Sequence, residues 1–123
     1  MDFLLDSNII IYSLSQEYRY LRELLVDNSC HVSEISRVEV LGYHRLEKSD
    51  KKYFLDVFSY APIIIPNQLI FDKAIDLRQA YNLKLGDSLI AATAVVYDLN
   101  LYTRNLKDFE RIEGLTCINP IVD

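Results

Sequence analysis

The chain of 123 residues is poor in the residues that loosen or staple a fold: it has three glycines, three prolines and two cysteines. So little Gly and Pro leaves no composition for a flexible linker, and no internal repeat or low-complexity tract is visible. The length suits one compact domain over residues 1–123. No apolar run approaches the roughly 18 residues of a spanning helix, so no membrane partner is expected. The N-terminus holds Asp2 and Asp6 where a secretory signal would have a basic stretch and then an apolar one. A cytoplasmic location is the default expectation. Cys30 and Cys117 lack metal-site spacing and read as reduced thiols. Positive charge is also short, with a net charge of −5. This argues against gripping nucleic acid by bulk electrostatics but leaves room for an enzyme that handles phosphate through metal ions. Local basic groups remain at Arg37 and in segments 45–52 and 104–107.

Half of the residues are hydrophobic and a quarter are charged, a composition that supports a real core. Phe3 to Leu5 reads as a buried strand ending at the polar tip Asp6-Ser7-Asn8. Helices are expected over 8–15 and 17–26, the second with Tyr20, Leu21, Leu24 and Leu25 on one face. A strand at 30–33 precedes a helix over 34–46 with Ile35, Val38 and Leu41 as its stripe. A helix over 50–60 turns Phe54, Leu55 and Phe58 inward. Pro62 and Pro66 bracket a strand at 63–65. A helix over 68–81 follows, with Ile75 and Leu77 among its apolar residues. Segment 87–99 is apolar on nearly all sides and reads as a buried central helix. Strands at 101–103 and 116–118 complete the set. Short apolar strands alternating with helices predict an α/β fold, a three-layer α/β/α sandwich around a short parallel sheet. Ligands in such folds bind beyond the carboxyl ends of the strands, where Asp6 and Asn105 would open onto one edge.

Each acidic candidate has two readings. Asp6, between strand and helix, is a turn or cap residue, or a functional carboxylate. Glu39 lies four residues after Ile35 and one after Val38, on or beside the apolar stripe. A Glu facing a core is costly unless ion-paired, protonated or bound to a cation. Asp87 opens the buried helix, as a cap or as a group at the sheet edge. Asn105 and Asp108 read as loop or helix-start residues in isolation. Brought together, such carboxylates repel, and a divalent cation relieves the conflict. Mg²⁺ or Mn²⁺ prefers oxygen donors, keeps several waters and can support phosphoryl displacement.

Four segments resemble the motifs of the PIN-domain family, especially its VapC-type toxin ribonucleases. They are Leu4-Leu5-Asp6-Ser7-Asn8-Ile9-Ile10-Ile11-Tyr12, segment 33–42 around Glu39, Gly86-Asp87-Ser88-Leu89-Ile90-Ala91-Ala92-Thr93-Ala94, and segment 101–109. They follow the family's order over essentially the whole chain. The resemblance implies an endoribonuclease that hydrolyses RNA phosphodiester bonds with Mg²⁺ or Mn²⁺ and an activated water, often in structured RNA such as tRNA. It implies Asp6, Glu39 and Asp87 as catalytic, metal-binding carboxylates, and Ser7 and Thr103 as hydroxyls near the site. The fourth acidic position aligns with Asn105, an amide, while Asp108 is the acid one helical turn on. Arg37 or Arg104 could steady the RNA backbone, or be solvated surface cations. A homodimer, formed through N-terminal helices, and an antitoxin partner are also implied. Leu21, Leu24 and Leu25 could equally be core. Two rivals stand beside this: a PIN-like module that binds RNA or protein without turnover, and a phosphatase-like or receiver-like domain with Asp6 as nucleophile or phosphoacceptor. The second lacks an Asp-x-Asp pair, because position 8 is Asn8, and lacks a Lys after a late strand.

Overall fold

The computed structural model describes residues 1–122, and its core is a five-stranded, wholly parallel sheet. The strands are β1 (Phe3–Leu5), β2 (Cys30–Ser33), β3 (Ile63–Ile64), β4 (Asn100–Tyr102) and β5 (Cys117–Ile118), in the order β3-β2-β1-β4-β5. In register, Phe3 lies beside Cys30 and Asn100, and Leu5 beside Val32 and Tyr102. All three β1 residues are buried. The strand needs no polar alternation, because helices cover both of its faces.

The two-residue period of the strand divides its side chains between two cores. Phe3, Leu5, Cys30 and Val32 pack with Ile9 and Ile10 of α1 (Ser7–Tyr12), Leu25 of α2 (Arg22–Leu25), Val40 of α3 (Glu34–Leu41) and Phe54 of α4 (Lys48–Tyr60). Leu4 and Leu101 face the other way. They pack with Ile70 of α5 (Gln68–Ala80), Ile90 of α6 (Leu85–Val96) and Phe109 of α7 (Leu106–Phe109). The result is the expected three-layer α/β/α sandwich. The α6 helix is buried continuously from Ser88 to Ala94, as its all-round apolar sequence requires. Among the described residues no helix is long and apolar enough to cross a membrane.

Several expectations are corrected. The helix over 17–26 is instead a 3-10 segment, Gln16–Leu21, kinked by the non-helical angles of Tyr18, followed by the short α2. Leu21 and Leu25 are buried in the core and Leu24 packs partly against it. The helix expected to reach residue 46 stops at Leu41, with Gly42 as its cap. Leu55 is 47% exposed, since the buried stripe of α4 runs through Phe54, Val57 and Phe58. Ile75 is exposed too, and Ile70, Ala74 and Leu77 form the buried face of α5. The short strands β3, β4 and β5 differ by about one residue from the expected bounds.

The chain runs outward from β1 through β2 to β3, then crosses back to β4 on the far side of β1. Connections therefore diverge between β1 and β4, which opens a crevice at their carboxyl ends, where parallel sheets place ligands. Asp6 follows β1 there and Thr103 follows β4.

Candidate active site

Asp6 is the buried centre of the crevice, 6% exposed. Its backbone N–H donates to the Tyr102 carbonyl at 2.9 Å, which ties the two strand tips together. Its carboxylate caps α1 by accepting from the Ser7 N–H at 2.8 Å. Its other oxygen accepts from the Thr103 hydroxyl at 2.8 Å and from the Asn8 amide at 3.3 Å. Capping and site geometry thus coexist in one residue. Thr103 is fully buried, and its Oγ1 also accepts from the Asn105 N–H at 3.0 Å. The Asn8 carbonyl oxygen accepts from the Arg104 N–H at 3.3 Å. The polar tips of β1 and β4 therefore form one lattice of hydrogen bonds.

Glu39 corrects a sequence expectation. It is exposed, and the buried face of α3 runs through Ser36 and Val40 while Val38 is itself exposed. The cost of a buried Glu therefore does not single it out. Its placement does: the Ser7 hydroxyl donates to Glu39 Oε1 at 2.7 Å and lies 3.0 Å from the Ser36 hydroxyl. On its far side, Glu39 Oε2 comes so near Gly86 that a Cβ there would sit 3.2 Å away. Asp87 is not a cap, because Lys84 occupies the N-cap position of α6, without a capping side-chain bond, and Asp87 lies within the first turn. Asn105 donates its amide to Asp108 at 2.6 Å.

The charges of these groups act on one another. Burial, first of all, pushes Asp6 up to about 6. Hydrogen bonds from Thr103 and Ser7 pull the other way, and the charges of Asp87 and Glu39 add to the rise. Asp87 is raised by burial, then by Asp108 and by Glu39, against a lowering by Lys84. Among the described residues none of the four carboxylates is ion-paired. Of the two candidate cations, Arg37 is taken up by Glu34, which counts against its holding RNA. Arg104 sits over the Tyr12 ring, 4.8 Å from its centroid. Burial pushes Cys30 up to about 12, so it behaves as an inert core thiol.

Comparison with known proteins gives the same picture. The family model described as PIN domain matches residues 3–115. The chain belongs to the PIN-domain family. Ribonuclease VapC1 of Rickettsia felis is 29% identical across 94% of this chain and 93% of its own. A solved toxin-antitoxin complex from Klebsiella pneumoniae contains a chain 32% identical to this one. The match has a TM-score of 0.81 and covers 98% of both chains. VapBC2 from Rickettsia felis, solved bound to a DNA fragment from its promoter, has a chain 28% identical with a TM-score of 0.80, covering 97% of this chain and 98% of that one. Within the family this PIN domain is of the VapC type.

The donor set of this PIN domain suits a hard divalent cation. Asp6, Glu39, Asp87 and Asp108 offer only oxygen, and among the described residues none of them has an ion pair to offset their mutual repulsion. Among the described residues no three His, Cys, Asp or Glu side chains are close enough to hold a metal ion directly. Such spacing would suit a hard cation that keeps much of its own water. Sequence reasoning passed over Asn8, Ser36 and Gly86. Ser36 precedes Glu39 by three residues on the same helix, a spacing that marks a shared face. Asn8 and Gly86 gave no signal beyond their motifs.

Proposed function

We propose that this VapC-type PIN domain is a metal-dependent endoribonuclease, the toxin of a toxin–antitoxin pair, acting on RNA phosphodiester bonds. The observation that supports this most is the buried Asp6 at the topological switch point, tied to Thr103 and raised first by burial and then by the charges of Asp87 and Glu39, with no ion pair among the described residues. The name of the Rickettsia felis relative and the toxin–antitoxin neighbour support the activity and the partner. Asp6, Glu39 and Asp87 are the residues that would hold Mg²⁺ or Mn²⁺, in part through its retained water. When bound, such a cation supplies Lewis acidity at the scissile phosphate and makes water a better nucleophile.

The chain's own groups then have distinct tasks. Thr103 and Ser7 fix the Asp6 carboxylate by donating to its two oxygens from opposite sides of the crevice, Ser7 through its backbone N–H. The Ser7 hydroxyl also orients Glu39. Asp87, half-buried and raised by burial and by the charges of Asp108 and Glu39, is suited to accept the proton of the attacking water. The water oxygen bonds to phosphorus as the bond from phosphorus to the departing sugar oxygen breaks. Asp108 fills the fourth acidic position because its charge reaches Asp87, and Asn105 orients it. A cytoplasmic homodimer controlled by an antitoxin, with tRNA among its substrates, completes the reading.

The experiment is cleavage of total cellular RNA with Mg²⁺ or Mn²⁺, then with excess EDTA, beside an Asp6→Asn/Asp87→Asn double variant. Discrete cleavage is expected only with metal and only from the parent chain, and end-mapping identifies the bond cut. If folded, antitoxin-free protein leaves the RNA intact with either metal, the reading fails and an RNA- or protein-binding module replaces it.

A further inference from the structure

The carboxylate edge is not uniformly acidic. Beside it opens a cavity of about 380 Å³, lined by Arg78, Asn82, Leu83, Lys84, Asp87 and Asp108. Arg78 comes from the last turns of α5, and Lys84 immediately precedes α6. The chain between them folds so that Arg78 Nε donates to the Leu83 carbonyl at 3.2 Å. This brace fixes the guanidinium and leaves its two terminal nitrogens as donors. Lys84 is exposed, and its charge is the influence that lowers Asp87. Among the described residues neither cation has an ion pair. Arg37 differs in being taken up by Glu34.

Two cations and two carboxylates line the same cavity. Around Asp6 and Glu39 an anion meets carboxylates alone. Along Lys84 and Arg78 it meets compensating positive charge. A phosphodiester oxyanion fits the donors, because Arg offers a planar fork and Lys a compact point charge. The cavity is also large enough to seat one such group.

We propose that this cavity binds one backbone phosphate of the RNA, next along the strand from the scissile one, between Lys84 and the terminal nitrogens of Arg78. The inference rests on the nuclease reading and adds a register to it. A phosphate held there sets which bond lies against Asp6 and Asp87, without reading any base.

The test measures binding of a fluorescein-labelled, mixed-sequence RNA 20-mer by anisotropy over a series of salt concentrations. Asp6→Asn is present in every protein to prevent cleavage. Lys84→Gln is compared with Lys51→Gln, which removes an exposed cation from α4. Each phosphate contact on a single strand contributes about 0.7 to the slope of log affinity against log salt. Lys84→Gln is expected to weaken binding about tenfold and to flatten the slope by about 0.7, and Lys84→Arg to restore both. Lys51→Gln should leave the slope unchanged. The Lys84 side chain makes no hydrogen bond among the described residues, and its one bond, from the Ser88 N–H to its backbone carbonyl, survives the substitution, so its loss reports on binding; Arg78→Lys, which keeps the charge but removes the fork, should weaken binding to a smaller degree. If Lys84→Gln behaves as Lys51→Gln does, the phosphate site is overturned while cleavage by the parent still stands. If the Asp6→Asn protein binds with the Lys84-dependent slope but wild-type chain never cleaves, the site holds and the nuclease reading falls.

Discussion

The two halves of the site are built differently. The strand half, Asp6 and Thr103 at the tips of β1 and β4, is buried and cross-linked by hydrogen bonds to Ser7, Asn8 and Asn105. The helix half, Glu39 on α3, Asp87 on α6 and Asp108 on α7, is exposed or half-buried. Glu39 and Asp108 are each held by one short contact, from Ser7 and Asn105. Parallel strands lock their tips through the sheet, while helix surfaces leave long side chains free to move. The strand half is therefore organised in advance at a cost in stability, and the helix half can adjust when a cation and a phosphate arrive.

The largest effect belongs to Asp6→Asn, which should lower cleavage on the order of a thousandfold. The same change should stabilise the protein in EDTA at neutral pH. Burial raises the folded pKa of Asp6 to about 6, above its unfolded value of about 3.9. Its stabilising protonated form is thus fully present below about pH 4, and the contribution is lost as pH rises through about 6. The loss at neutral pH is about 2–3 kcal/mol. Thermal melts should show the Asn variant ahead at pH 7.5 and level with the parent near pH 4. Equal melting temperatures at neutral pH would break the claim that the strand half is costly.

Thr103→Val comes next. It removes the donor to Asp6 and the acceptor for the Asn105 N–H, a loss of about 2 kcal/mol. Because the Thr103 bond lowers Asp6, its removal should also move the acid limb of the pH–rate profile to higher pH. Denaturant melts and rates between pH 5 and pH 8 check both (a range around the usual carboxylate-to-neutral window).

Gly86→Ala probes the helix half, where the added Cβ would press on Glu39 Oε2 at 3.2 Å. About a tenfold loss of cleavage at limiting Mg²⁺ is expected from so small a displacement, with little change in melting temperature. An adjustable Glu39 predicts recovery at saturating Mg²⁺; a loss that persists there would make the helix half as rigid as the strand half. The smallest effect is Arg104→Gln, which removes the contact with the Tyr12 ring at a cost of about 0.5–1 kcal/mol in thermal stability.

The layers of the fold were legible because β1 and α6 are apolar on every side, and only elements covered on both faces have that pattern. Asp6 was legible as the first polar residue after a buried strand. Glu39 was legible only through its motif. The stripe read from Ile35, Val38 and Leu41 was misplaced, because Ser36 is a polar residue on the buried side of α3. Leu55 and Ile75 went astray for the related reason that an apolar side chain does not reveal which face of a helix is covered. The break at Tyr18 depends on how the chain turns onto the core.

Local sequence alone determined the alternation of strands and helices and the parallel three-layer class, since these follow from periodicity and side-chain chemistry; the set of candidate oxygen donors came from the family motifs. Tertiary structure decided which strand tips meet. Only the crossing from β3 back to β4 brings Thr103 to Asp6, 97 positions apart. Only helix packing places Glu39 against Ser7 and Gly86, and Lys84 with Arg78 beside Asp87. Contacts between distant segments depend on how all the elements pack at once, and no short window of sequence contains that information.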